Sequence, residues 1–252
     1  MQSGGLEDKV AIVTGGGGGI GRATVLQLAR AGCDVAVVDV NPETAQAAAR
    51  EADAVSGRRA VAIVADLTSR AEAQRVVDDT VRRLGQVDFL VNTIGWYPVS
   101  NFLEISEDQW DAVFAVNTKA AFTMIQAVAP LMRERRDGRI VSIVSIDAYI
   151  PKPKLAHYAA AKAALWSLTK SVALELAPYN VLVNGISPGH VDTPAIRTSI
   201  PQWRLDEMLG EIPLGRKADP SEIAAIVEFL VSPASSYITG ECIVAAGGTY
   251  FQ

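Results

Sequence analysis

Cysteine is nearly absent from this chain: two among 252 residues, Cys33 and Cys242. Two such distant thiols build no disulfide framework and lack metal-ligand spacing, so no metal site is expected. Both read as small buried hydrophobes in a reducing, cytoplasmic setting. Histidine is as scarce, with His157 and His190 alone. Basic runs stop at two or three residues, and Lys+Arg total 23 against 28 Asp+Glu, for a net charge of −5. That balance leaves no electrostatic footprint for nucleic acid or an anionic membrane. No uninterrupted apolar run approaches the ~18 residues of a membrane span. Met1 to Gly5 is polar and glycine-rich, without the cationic and apolar segments of a signal peptide. Repeats, low-complexity tracts and linker-like stretches are missing too, so one domain over residues 1–252 is expected.

What remains is a globular composition, 49% hydrophobic and 20% charged. Short β-branched runs alternate with longer helical patterns. Strands are expected at Val10–Val13, Asp34–Asp39, Ala60–Val64, Asp88–Asn92, Arg139–Ser145, Val181–Ser187 and Cys242–Ala245, with helices between them. This βαβ rhythm predicts an α/β fold, a doubly wound, mostly parallel sheet with helices on both faces. The helical stretches Trp110–Met132 and Tyr158–Ala177 are apolar around most of their circumference, more than one buried face needs. A homo-oligomer, a tetramer in preference to a dimer, is the expected cover. A sedimentation mass equal to one chain at micromolar concentration would exclude it.

Between the first strand and first helix lies Thr14, then five glycines from Gly15 to Gly19, then Ile20 and Gly21. Missing β-carbons let backbone approach a phosphate closely, and the following helix offers free N–H groups with partial positive charge. Five consecutive glycines satisfy almost any spacing, so the strand-loop-helix context carries the inference. Asp39 stands eighteen residues beyond Gly21, at the end of the second strand. A carboxylate there accepts hydrogen bonds from an adenosine ribose and repels a 2′-phosphate, and neither Gly18 nor Val40 supplies a basic side chain. NAD(H) is therefore expected over NADP(H). Asp66, after the third strand, is placed to meet an adenine amino group or simply an exposed turn.

Tyr158 and Lys162 stand four residues apart, on one face of a helix, and Ser145 lies thirteen residues before the tyrosine. An ammonium beside a phenol favours the phenolate and is expected to pull its pKa down from ~10 toward working pH. His157 is a rival base, but one helical residue's offset points it about 100° away from Tyr158. A solvent or subunit-contact role is expected for it.

Together these pieces resemble the short-chain dehydrogenase/reductase family, classical type, over Val10 to Gly248. The family's T-G-x-x-x-G-x-G loop lands on Thr14, Gly15, Gly19 and Gly21, and its adenine-side acid on Asp66, followed by Leu67. Its Asn-Asn-Ala-Gly segment is similar to Asn92, Thr93, Ile94 and Gly95, its mid-helix asparagine to Asn117, its serine to Ser145, and its Tyr-x-x-x-Lys to Tyr158 and Lys162. Pro188 and Gly189 match its turn after the sixth strand, with Val191 and Thr193 where the family meets the nicotinamide carboxamide. Two departures stand out. Thr93 and Ile94 replace Asn and Ala, bringing a larger aliphatic group to the nucleoside side of the cleft. Ala245 and Ala246 precede Gly247 and Gly248 where many members read Val-Asp.

The resemblance implies that Tyr158 is the general base in alcohol oxidation and the acid in the reverse reaction. Lys162 would tune it and hold the nicotinamide ribose. Ser145 would donate to the substrate oxygen, and Asn117 would hold a water beside the lysine at a helix kink. The segment 193–212 resembles a substrate loop. Trp96, Tyr97, Tyr149, Ile150 and Trp203 would make an aromatic, largely apolar pocket for a secondary alcohol or ketone. Two alternatives remain open: a carbonyl reductase of the oxoacyl type, and a cofactor-sensing protein without turnover.

Overall fold

A computed structural model describes residues 5–194 and 209–251. Its frame is a seven-stranded parallel sheet in the order β3-β2-β1-β4-β5-β6-β7. The strands are β1 (Val10–Thr14), β2 (Asp34–Asp39), β3 (Ala60–Val64), β4 (Phe89–Asn92), β5 (Gly138–Ile143), β6 (Val181–Pro188) and β7 (Cys242–Ala245). Apolar side chains predominate in β1, β4 and β6, where every residue is buried. Two-sided burial is what turns a strand into an unbroken apolar run.

Helices cover the two faces. On one side α1 (Gly19–Arg30), α2 (Pro42–Ser56) and α7 (Pro220–Val231) pack over a core that includes Val13, Leu28, Val37, Val141 and Ile223. On the other, α3 (Arg70–Leu84), α5 (Ala120–Arg135) and α6 (Ala156–Leu176) enclose Ile12, Val38, Leu90, Met124 and Ile140. Local sequence sets several boundaries. Asn41 caps α2 by accepting from the Glu43 and Thr44 N–H groups at 2.9 and 3.3 Å. Pro42 supplies the preset first φ, and Gly57 closes the helix at φ 66°.

The helix expected over Trp110–Met132 is interrupted. It runs as α4 (Glu107–Phe114), a π-helical segment over Ala115–Lys119, and α5. Glu107–Arg135 spans 29 residues and contains an 18-residue window of mean hydropathy 1.3, enough by length and composition alone to cross a membrane. Its residues Val113, Met124, Val128 and Met132 are instead buried within the fold. Trp110, Phe122 and Leu174 stay exposed on the outer surface. A hollow of about 520 Å³ there is lined by Phe114, Phe122 and Leu168, on the outside of the helices rather than beside Ser145.

β5 also ends earlier than expected. Pairing with β6 stops after Ile143, and Ser145 stands beyond it in extended backbone, opening a short 3-10 turn over Ile146–Ala148. At the opposite rim, Asp88 accepts from the Val10 N–H at 2.8 Å and pairs with Lys9, which also reaches Asp137. Asp34 there meets Arg59 at 2.6 Å and Arg58 at 3.2 Å. Both expected buried thiols are buried, Cys33 toward the Leu6 carbonyl and Cys242 beside the Ser187 hydroxyl.

Candidate active site

Because all seven strands run parallel, their C-terminal ends share one rim, and the singled-out residues gather along it. The glycine loop leaves β1 and enters α1. Gly15 and Gly19 adopt φ of +65° and +50°, the left-handed region that glycine enters without a steric penalty. A β-carbon on Gly21 would lie 2.0 Å from the Gly15 carbonyl oxygen, so only glycine lets the helix press against the turn. Ile20 follows Gly19 at the start of α1 and packs partly buried against the core.

Gly18 differs from its neighbours: its backbone is extended and nothing lies within 4 Å of where a β-carbon would be. It caps α1 without a side chain, and the first turn holds no acidic residue. The N–H groups of that turn are therefore offered to an incoming anion. Asp39 closes the other side of the loop, its two oxygens accepting from the Gly17 and Asn41 N–H groups, each at 3.0 Å. These features fit a dinucleotide: open space and free donors for the diphosphate, and a fixed carboxylate for a ribose.

Asp66 is exposed, and its Oδ1 accepts from both the N–H and hydroxyl of Thr68 at 3.0 and 2.8 Å. Leu67 is buried, and its carbonyl accepts from the Thr123 hydroxyl. Thr93 has a role the sequence did not announce. Its hydroxyl donates to the Thr14 carbonyl at 2.6 Å and its N–H donates to the Thr14 hydroxyl at 3.2 Å, tying the ends of β1 and β4 together. Ile94 packs partly buried against the core, with Cγ1 3.3 Å from the β-carbon position of Gly15. Pro188 ends β6, Gly189 donates to the Ala245 carbonyl at 3.0 Å, and Val191 is buried and bridged to Ala218. Thr193 brings its methyl 3.3 Å from the β-carbon position of Gly19, so this loop touches the glycine turn directly.

At the centre of the rim, Ser145 is buried, and its hydroxyl bears on the Tyr158 phenol, holding back the rise in its pKa. Lys162, one turn further along α6, is buried with Nζ 5.9 Å from the Tyr158 ring centroid. The ammonium donates to the Ile143 carbonyl at 2.8 Å and lies 3.5 Å from that of Ile94. Asn117 is buried in the π-helical segment. Its Oδ1 accepts from the Trp96 N–H at 3.2 Å, and its Nδ2 donates to the Trp96 and Val113 carbonyls at 2.7 and 2.9 Å. Gly95 lies between it and the lysine: a β-carbon there would be 3.5 Å from Asn117 Oδ1 and 3.7 Å from Lys162 Nζ.

The electrostatics correct one expectation. Burial raises the Tyr158 pKa above that of a free phenol, and the Asp147 charge adds to the rise. The same burial lowers Lys162 to about 7, so the lysine does not win the contest in the chain alone. A lysine whose folded pKa falls below its unfolded value opposes folding whenever it is charged. Its penalty is absent above the unfolded pKa and grows as pH falls from 10.5 toward about 7, after which it is constant. Stability of the ligand-free protein should therefore rise with pH across that window more steeply than in Lys162→Met, by up to ~1.4 kcal/mol per pH unit. Parallel wild-type and variant curves in urea titrations between pH 7 and 10 would contradict this.

The pocket expectation divides. Tyr97 packs edge-on against Tyr158, ring centroids 5.7 Å apart, and Trp96 is exposed next to it. Tyr149 stacks its ring on Tyr250 at 5.1 Å, and its buried hydroxyl faces Ser187 and Cys242 at the end of β6. Trp203, and most of the expected substrate loop at 193–212, lie outside the described residues. His157 is fully buried within the chain, which corrects the expected solvent or subunit-contact role, and neither ring nitrogen meets a partner among the described residues. Sequence reasoning also passed over Asp147 and Lys152. Only their place between Ser145 and Tyr158 pointed to them.

A parallel sheet with a glycine loop after its first strand, and a serine, tyrosine and lysine gathered at its C-terminal rim, is the arrangement of an oxidoreductase. A family model described as enoyl-(acyl carrier protein) reductase matches residues 15–250. The 3-oxoacyl-[acyl-carrier-protein] reductase FabG of Thermotoga maritima is 37% identical over 96% of this chain and 98% of its own. The 2,3-dihydro-2,3-dihydroxybenzoate dehydrogenase of Bacillus subtilis is 36% identical over 98% of each. The crystal structure of an NAD+-bound xylitol dehydrogenase superposes with a TM-score of 0.93 at 34% identity, covering 97% of this chain and 100% of that one. The chain belongs to the short-chain dehydrogenase/reductase family.

Proposed function

We propose that this protein is an NAD(H)-dependent dehydrogenase that interconverts a hydrophobic secondary alcohol and its ketone. The observation that carries the reading is the buried Lys162 ammonium, anchored on the Ile143 carbonyl at 2.8 Å and 5.9 Å from the Tyr158 ring centroid, with the Ser145 hydroxyl bearing on the same phenol. The nicotinamide, when bound, takes or gives the hydride. Everything else is work for the chain. Ser145 orients the substrate oxygen and stabilises its developing charge. Tyr158 gives that oxygen a proton in reduction and removes one in oxidation. Its raised pKa keeps the phenol protonated near neutrality, which suits the donor role directly. Asn117 fixes the Trp96 backbone beside the lysine, and Tyr97 and Trp96 offer apolar surface to the substrate body.

Asp39 supports NAD(H) in preference to NADP(H). Its carboxylate is held by two backbone N–H groups, and no basic side chain stands at Gly18 or Val40 to receive a phosphate. The dihydroxybenzoate and xylitol enzymes, by their names, act on alcohols, and the latter's structure holds NAD+. A second reading, reduction of an oxoacyl thioester, has the Thermotoga maritima relative in its favour and the acidic Asp39 against it. A panel of cyclic and aryl secondary alcohols, followed by absorbance of the reduced nicotinamide, tests the choice. We expect oxidation with kcat/KM at least ~10-fold higher for NAD+ than NADP+, since a phosphate meeting a carboxylate is strongly disfavoured. Better turnover with NADP+ would overturn the cofactor assignment. Saturable NAD+ binding with no oxidation across the panel would favour a sensor.

A further inference from the structure

Ser145 has one proton to give and two claimants for it. Its hydroxyl donates to Asp147 Oδ2 at 3.2 Å, while Oγ accepts from the Asp147 N–H at 3.1 Å. The reaction above needs that same proton on the substrate oxygen, and a hydroxyl donates only once. Asp147 therefore competes with the substrate for it.

The second of these bonds comes from the backbone, so it holds Oγ in place whatever the carboxyl group does. Only the proton is in dispute. As a carboxylate, Asp147 accepts and turns the Ser145 O–H toward itself; as a carboxylic acid it has an O–H of its own to donate to the second lone pair of Oγ. Ser145 then accepts twice and donates to the substrate. The surroundings keep the acid form within reach. Oδ1 is buried and meets no donor among the described residues, a cost that falls more heavily on the carboxylate than on the acid. Burial lifts the Asp147 pKa above its ordinary 3.8, and the Lys152 charge and the Ser145 hydroxyl only hold the rise back. Lys152 stands in the loop leading to α6, its Nζ 3.1 Å from His190 Nε2 on the loop after β6. His190 is neutral at working pH, its pKa lowered to about 4 by burial and by the Lys152 charge. On α6, Tyr158 feels the Asp147 charge in turn.

We propose that Asp147 is a positioning residue for Ser145: ionised, it keeps the serine proton from the substrate oxygen, and protonated from solvent, it donates to Oγ and releases that proton to the substrate. This rests on the dehydrogenase reading above. The test follows kcat/KM for reduction of acetophenone by NADH from pH 5 to 8, in the wild type and in Asp147→Asn, whose amide does not titrate. Lys162 changes charge in both proteins and cancels in their ratio. The ratio of wild type to variant should fall as pH rises, by at least about tenfold and at most the ~10²–10³ that one oxyanion donor contributes. A ratio flat across the window overturns the proposal, because an aspartate that only shapes the loop affects the rate equally at every pH. Should Asp147→Asn fail to fold, Asp147→Ala gives the same comparison. Calorimetric binding of acetophenone to the NAD+ complex needs no turnover. It should tighten at least about threefold from pH 8 to 5 in the wild type, the lower range for one hydrogen bond, and not in Ser145→Ala, which has no proton to withhold. The same pH dependence in both proteins overturns the proposal. Binding of the expected kind without reduction sinks the dehydrogenase reading and leaves the Asp147 role standing; reduction with a flat ratio does the reverse, and no binding at either pH refutes both.

Discussion

Replacing Tyr158 by phenylalanine is expected to lower kcat by about 10²–10⁴-fold while leaving NADH affinity within a few-fold of the wild type. The substitution removes one oxygen and keeps the ring, so the edge contact with Tyr97 and the packing on α6 survive. What disappears is the proton carrier next to Ser145. Steady-state rates on any accepted alcohol, paired with a fluorescence titration of NADH, separate the two effects. Turnover within tenfold of the wild type would move the acid/base role to another group. His157 is a poor substitute, since it is buried and its pKa is lowered by that burial.

Gly21→Ala should be the most damaging single methyl in the protein's nucleotide end. The added carbon would sit 2.0 Å from the Gly15 carbonyl oxygen and 2.6 Å from the Thr93 hydroxyl, which is itself bonded to Thr14. Backbone must shift, because no flexible side chain is there to yield. A cost of about 3 kcal/mol is expected, a fall of roughly 6–12 °C in Tm for a chain of this size, together with lost dinucleotide binding. Gly18→Ala provides the contrast: its β-carbon meets nothing within 4 Å, so Tm should hold while the methyl obstructs the diphosphate. If both variants melt like the wild type and bind NADH equally well, the loop is not the phosphate cradle.

Much of this architecture was readable in the chain itself. Strands buried on both faces announce themselves as continuous valine and isoleucine runs, and all seven fell within two residues of expectation. The glycine loop was legible from its place between a strand and a helix, and the serine, tyrosine and lysine from residue type at a fixed spacing. Other features depend on what the chain meets in space. The π-helical segment adds one residue to a turn, and a pattern of 3.6-residue period, apolar on nearly every side, does not register it. The same uniformity hid the inward direction of His157. Lowering of the tyrosine pKa was inferred from a neighbouring charge alone, whereas burial depth, which reversed the sign, has no local signature. The stacking of Tyr149 on Tyr250 joins residues about a hundred positions apart, a contact with no local signal in the sequence.

The parallel sheet segregates labour between its two rims. Lys9, Asp88, Asp137, Asp34 and Arg59 sit at the strand starts, a full strand length from Ser145 and the glycine turn. That rim is where an affinity handle, a fluorophore or a tether to a solid support belongs. An attachment there leaves the opposite mouth open to guests arriving from solvent.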